Sequence, residues 1–207
     1  MKRGTRLKTE ERKAQLLEIA SRIFYEDGYE KGSLSTVARA AGITKAAIYH
    51  HFKNKEEILY NIILGTIDGL IFDLRAISKR KDDPIKELKE MIDVQVSYNS
   101  HKIKAKIVFE DGNFLDKKYE GVIRNRKKEI VEIYKNKFEE IASAGKLKNV
   151  DITTAKFSVL GIINWVYQWY NPDGKLSIEK IKDDITKLIF YGMIKDDQQE
   201  RLKKKRE

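Results

Sequence analysis

Residues 42–52 read GITKAAIYHHF, and the fold turns on what a glycine, a threonine and two adjacent histidines do at such close quarters. Immediately upstream, LSTVARAA has the apolar spacing of a short amphipathic helix, with Leu34, Val37, Ala38 and Ala41 on its inner face and Ser33 placed to cap it. Gly42 ends that helix by supplying a left-handed residue, Ile43 plugs the gap between neighbours, and Thr44 satisfies the free amides of a new helix two residues later. Two helices joined by so short a turn form a helix-turn-helix. In the second helix Ile48 and Phe52, spaced four apart, turn inward and leave Tyr49 and His50 outside. His50 and His51 diverge by about 100° on a helix with ~3.6 residues per turn, and no neighbouring carboxylate or cysteine completes a metal site. The outer face is therefore read as a surface that presses on a partner, and no metal is expected.

Working outward, Thr9 caps a first amphipathic helix that carries Leu16, Leu17, Ala20, Ile23 and Phe24 and stops at Gly28. Asn54, answered by Glu57, opens a fourth helix that runs to about Ile77. Asp83 and Pro84 open the next, bearing Leu88, Met91, Ile92 and Val94. Gly112 breaks the segment AKIVFED from a long helix over 114–144 that ends at Gly145. The stretch DITTAKFSVLGIINWVYQWY is apolar on more than one face, and Ser177 caps a last helix with Ile178, Ile181, Ile185, Leu188 and Ile189. The expected architecture is all-α: a three-helix helix-turn-helix domain over residues 1–53 and a larger helical ligand-binding and dimerisation domain over 54–207.

The composition agrees. Two prolines in 207 residues, with 41% hydrophobic side chains, suit a helical globular chain. The absence of cysteine excludes disulfides and thiolate metal sites. The N-terminus lacks the apolar run of a signal peptide, and no apolar run approaches the ~20 residues that cross a bilayer, so a cytoplasmic protein with no membrane partner is expected. The net charge of +10 favours a polyanion. Its placement is more telling: Lys2, Arg3, Arg6 and Lys8 fall in an acid-free stretch, as do Lys31, Arg39, Lys45, Lys53 and Lys55 between residues 31 and 55. The mixed-sign KDDQQERLKKKRE at the C-terminus reads as a solvated helix end or frayed tail.

A recognition helix presents polar groups at its entering end to base edges and donors along its flanks to phosphates. Thr44, Lys45 and Ala46 stand at that entering end, Tyr49 and His50 on the outer side, Lys55 at the positive end of the following helix, and Ser33 at the head of the preceding one; these seven are the expected DNA-binding residues. The stretch GSLSTVARAAGITKAAIYHHFKNKEEIL resembles the DNA-binding domain of the TetR family of one-component transcriptional regulators, with the Gly42 turn, the Tyr49 and Phe52 pair and the Lys55 and Glu56 pair in register. Ala46 departs from the glycine often found there. The resemblance implies a homodimer that binds palindromic double-stranded operator DNA through its N-terminal domain and a small effector through its C-terminal one.

The segment GIINWVYQWYNPDGKLSIEKI, with Asn164, Trp165, Trp169, Tyr170, Pro172 and Gly174, is similar to a subgroup that responds to acyl-CoA thioesters and controls fatty-acid degradation. That resemblance implies an acyl-CoA effector and no resident cofactor. An acyl chain requires an apolar cavity, and a CoA head requires cations at its mouth. Phe109, Phe114, Ile123, Ile163, Asn164 and Trp165, with Arg124 and Arg126, are the expected ligand-binding residues; the bland alternatives are tryptophans packed in a core or dimer interface and arginines balancing Glu129 and Glu132 on a solvated face. A rival ligand is a lipophilic cation, as in regulators of drug efflux, for which Glu110 and Asp111 are the available acids. An enzyme finds no support: no nucleophile and base pair, glycine-rich phosphate loop or metal spacing is visible, and no catalytic residue is assigned. Charge-only coating of DNA remains as a third class, separable by competition with unrelated duplex at moderate salt.

Overall fold

The computed structural model describes residues 2–195, with side chains described from residue 9 onward. The side chains of Lys2, Arg3, Arg6 and Lys8, and the tail beyond Lys195, lie outside the described residues. Among the described residues ten α-helices follow one another: α1 (Lys2–Asp27), α2 (Leu34–Ala40), α3 (Lys45–Tyr49), α4 (Lys55–Ser78), α5 (Pro84–Ser100), α6 (Lys102–Phe109), α7 (Lys117–Ser143), α8 (Ile152–Asn164), α9 (Val166–Trp169) and α10 (Ile178–Met193). A 3-10 turn over Asp111–Phe114 separates α6 from α7. Among the described residues there is no strand, and only one antiparallel bridge joins Leu147 to Ile194. The fold is all-α, as the sequence predicts.

Short polar residues set most of the helix starts. Ser33, Thr44, Asp83, Asp151 and Ser177 each accept a hydrogen bond from an amide in the first turn of the helix they precede. Asn54 does the same for α4: its Oδ1 accepts from Glu57 N at 2.8 Å, while Glu57 Oε2 accepts from Lys53 N at 2.7 Å.

Helix α3 ends at Tyr49, so Phe52, expected within it, lies just beyond, and three further boundaries differ from expectation. Helix α1 extends upstream to Lys2 rather than beginning at Thr9, because the Lys- and Arg-rich lead sequence contains no residue that forbids a helix. Helix α7 begins at Lys117, since Phe114 belongs to the 3-10 turn and Leu115 adopts an extended backbone with its side chain buried. The helix expected to run from Asp151 to Tyr170 is interrupted at Trp165. There Asn99 Nδ2 donates to the Ile163 carbonyl at 3.1 Å, engaging a group that an undistorted helix reserves for its own ladder.

The chain packs as two units, each drawn from two stretches: Met1–Asp68 with Lys102–Asn125, and Gly69–His101 with Arg126–Glu207. The sequence boundary between residues 53 and 54 falls at the head of α4, within the first unit. In that unit α1 packs on α2 and α6, around Leu16, Ala20, Phe24, Val37, Ile48, Phe52, Ile58 and Leu59. In the second, α5 packs on α8, α9 and α10, around Leu88, Met91, Ile92, Val96, Tyr134, Phe138, Ile163 and Ile189. The second core also holds charge. Lys137 and Glu87 are both fully buried and paired, Lys137 additionally reaches Glu140, and Glu87 Oε1 accepts from Asp82 N at 3.0 Å. Each buried ion is thus multiply hydrogen-bonded, which offsets its desolvation.

Candidate nucleic-acid interface

The turn between α2 and α3 is fixed by backbone chemistry. Gly42 has φ +65°, and a Cβ added there would meet nothing within 4 Å. The requirement for glycine is therefore conformational, not one of space. The amides of Gly42 and Ile43 donate to the carbonyls of Arg39 at 3.2 Å and Ala38 at 3.0 Å, closing the end of α2. Arg12 of α1 donates to the Ala41 carbonyl at 3.2 Å, a support that no sequence pattern announces. On the far side Thr44 Oγ1 accepts from Ala47 N at 3.1 Å. Ile48 and Phe52 are buried, as expected for the inward pair, each contributing roughly 1.5–3 kcal/mol through burial.

What remains outside is a compact polar face. Thr44, Lys45, Ala46 and His50 are exposed, and Tyr49 retains 49% of its surface. Ser33 is half-buried, its Oγ accepting from Thr36 N at 3.1 Å and hydrogen-bonded to Thr36 Oγ1 at 2.9 Å. The free amides at the start of α3 add partial positive charge to this face.

Lys55 is placed differently from the others. Its Nζ donates to the carbonyls of Tyr29 at 2.8 Å and Glu30 at 3.0 Å and lies 4.3 Å from the centre of the Tyr29 ring. Burial holds its ammonium below the usual lysine range, with Glu30 opposing. Tyr29 is buried, packed edge-on against Phe24 and at 4.9 Å against Phe114. Its phenol is pushed up to about 12, first by burial and then by Glu56, Asp111 and Asp116.

The residues expected to face an effector divide between the two units. In the first, Ile123 is buried, Phe109 half-buried, Phe114 exposed apart from its packing on Tyr29, and Arg124 donates to Glu120 at 2.6 Å. In the second, Arg126 donates to Glu129 at 3.1 Å, Ile163 is fully buried, and Asn164 Oδ1 accepts from Gln95 Nε2 at 3.0 Å and Asn99 Nδ2 at 3.2 Å. Trp165, the next residue, points out and keeps 62% of its surface. Asn164 and Trp165 therefore enter different surroundings: a buried amide cluster and an open apolar face. That face lies on α8, α9 and α10, where Ile162, Trp165, Trp169, Leu176, Ile185 and Leu188 line a groove of ≈ 470 Å³.

The described residues hold no cluster of metal-ligating side chains, and no helix among them is long and apolar enough to cross a membrane.

Comparison with known proteins matches residues 16–62 to a family described as bacterial regulatory proteins, tetR family, and residues 81–193 to a Tetracyclin repressor-like C-terminal domain. Along its length the chain is 22% identical to the HTH-type transcriptional repressor KstR2 of Mycolicibacterium smegmatis, covering 88% of this chain and 90% of that one. Its fold is similar to a TetR/AcrR-family regulator from Thermobifida fusca, at 30% identity and a TM-score of 0.74 over 88% of this chain and 98% of that one. It is also similar to AibR solved with isovaleryl coenzyme A and operator DNA, at 29% identity and a TM-score of 0.78 over 86% and 98%. The first two are transcriptional regulators, and the third was solved on operator DNA. With the turn at Gly42, the capped α3 behind it and both family matches in place, the chain belongs to the TetR family of transcriptional regulators.

Proposed function

We propose that this protein is a repressor that binds a palindromic operator as a homodimer and releases it when an acyl-CoA occupies the C-terminal part, so controlling genes of lipid or fatty-acid metabolism. The observation that carries the DNA reading is the exposed face of α3: Lys45, Tyr49 and His50 stand out from a helix anchored by Ile48 and Phe52, in a stretch with no acid from residue 31 to residue 55. Lys45 and Ala46 at the entering end suit base edges, and Tyr49 and His50 suit phosphates. The dimer reading rests on the α8 to α10 face, whose aromatic and aliphatic side chains a lone chain leaves in water.

Support for the effector comes from the likeness to AibR, which was solved with isovaleryl coenzyme A, and from the lengthwise match to KstR2. Arg124 or Arg126, on the long α7, is the cation proposed to meet the phosphates, exchanging its present carboxylate partner for the ligand. Release requires that the effector bind the DNA-free conformation better than the DNA-bound one. A second reading, a lipophilic cation, is favoured by Asp111, which is buried and whose carboxyl burial pushes above the usual range, against Lys106 and with Glu110.

The test begins with an operator selected from random duplexes, followed by mobility shifts titrated with acyl-CoA from isovaleryl to long-chain, with free CoA as control. At least one chain length is expected to release the DNA, less readily from Arg124→Ala and Arg126→Ala. If none does, while a lipophilic cation does, the second reading replaces the first.

A further inference from the structure

We propose that Gln95 and Asn164 read a secondary amide in the pantetheine arm of the acyl-CoA, its N–H donating to Gln95 Oε1 and its carbonyl accepting from Asn164 Nδ2. This rests on the acyl-CoA reading of the effector and adds the group by which it is recognised. Three amides, from Gln95, Asn99 and Asn164, meet in the second unit, where α5 packs against α8 and α9. Gln95 and Asn99 are buried, whereas Asn164 is half-buried, so the cluster reaches the surface through it.

The orientation of every amide is fixed from one end. The Ile163 carbonyl can only accept, so Asn99 turns Nδ2 to it at 3.1 Å. The same Nδ2 reaches Asn164 at 3.2 Å, and Asn164 must answer with Oδ1. That oxygen also accepts from Gln95 Nε2 at 3.0 Å, which leaves Oε1 on the other arm of the Gln95 amide. Oε1 is buried, and no protein group donates to it. Among the described residues Asn164 Nδ2 likewise has no protein acceptor. A buried acceptor left unmet costs stability, and native interiors seldom keep one without a use. A partner carrying both an N–H and a C=O answers both atoms at once. A hydrocarbon chain, a thioester and an ammonium each lack one or both groups, whereas the pantetheine arm of coenzyme A carries secondary amides. Asn99 also engages the carbonyl at the α8 interruption, so an effector seated here bears on the segment from which Trp165 projects.

The test is calorimetry on the full chain with isovaleryl-, octanoyl- and palmitoyl-pantetheine, each also prepared with one or the other amide nitrogen methylated. For the chain length that binds best, methylation at one nitrogen should weaken binding to the parent by about tenfold, as loss of a hydrogen bond to a buried acceptor does. In Gln95→Met that penalty should shrink to about twofold or less, because the acceptor is gone. A penalty equal in parent and variant, or none in either, overturns the assignment. So does tighter binding of N-octanoyl homoserine lactone, another source of a secondary amide, than of the pantetheine series. If Gln95→Met does not fold, the series is read on Asn164→Asp, which keeps the oxygen that Gln95 and Asn99 donate to and removes the nitrogen. The penalty should shrink there too, and an unchanged one overturns the assignment. Operator release by acyl-CoA with no such coupling sinks the amide assignment alone. If neither acyl-pantetheine nor acyl-CoA binds the parent, the acyl-CoA reading fails and the amide assignment falls with it.

Discussion

Two of the molecule's exposed aromatic surfaces, on α3 and on the α8 to α10 face, keep different company. Tyr49 stands on α3 among Lys45, His50 and Lys53, with the free amides of a capped helix nearby. Trp165 and Trp169, at the end of α8 and on α9, line a groove with Ile162, Leu176, Ile185 and Leu188, in which Asp184 is the charged residue. An exposed aromatic therefore has no fixed meaning. A phenol among cations suits an anionic, hydrated partner; indoles among aliphatic side chains suit another dry surface. The first face is suited to nucleic acid and the second to a second copy of the chain.

The sharpest way to break this contrast is to put charge into the dry face. Leu188 is 69% exposed in the single chain, so Leu188→Glu should leave its folding intact yet bury an unpaired carboxylate on association, at a cost of about 3 kcal/mol or more. Light scattering should then report a monomer where the parent is expected to be a dimer, and operator affinity should fall with it. A variant that stays dimeric would mean that the face serves something else.

On the wet face the effects are smaller and should leave assembly untouched. Thr44→Ala removes the acceptor that holds Ala47 N, at a cost of about 1 kcal/mol in the helix. DNA affinity should drop severalfold while sedimentation still shows the parent oligomer; a change of oligomer would blur the division between the faces. Smaller again is Tyr49→Phe, expected to weaken all duplexes alike by about 0.5–1.5 kcal/mol through one missing hydrogen bond. Lys45→Ala, measured in parallel against a panel of sequences, should alter the preferred sequence as well. If neither substitution changes binding, α3 does not touch DNA.

Much of the fold is legible because its punctuation is local. A cap needs one oxygen three residues from an amide, and a glycine at φ +65° or +71° advertises a helix end wherever it falls, so Ser33, Thr44, Asn54, Asp83, Gly42 and Gly145 could all be read in order. The site is legible to the same depth: Ile48 and Phe52 point in, Tyr49 and His50 out. What escapes is whatever depends on residues distant in sequence. Nothing in FKNKEEIL says that Lys55 turns back to residues 29 and 30. Glu87 and Lys137, fifty residues apart, form a buried pair that no local pattern announces. That Asn164 accepts from Gln95 and Asn99 is equally invisible in its own segment. The interruption at Trp165 escapes for the same reason, since the amide engaging the Ile163 carbonyl comes from α5.

The discontinuous make-up of the first unit bears on how such a chain can be recombined. A single crossover after Asp68 would transplant the reading head without Lys102–Asn125, which packs within the same unit. Left behind would be Lys104, paired with Glu18 at 3.5 Å, Lys106, lying 5.2 Å from the Tyr25 ring, Asp116, whose amide donates to Glu56, and Phe114, packed against Tyr29. A host would have to supply equivalents of all four from its own sequence. Exchanging heads between relatives is therefore a two-segment graft, and residues 102–125 are expected to track the head in inheritance even though they lie outside it in the chain.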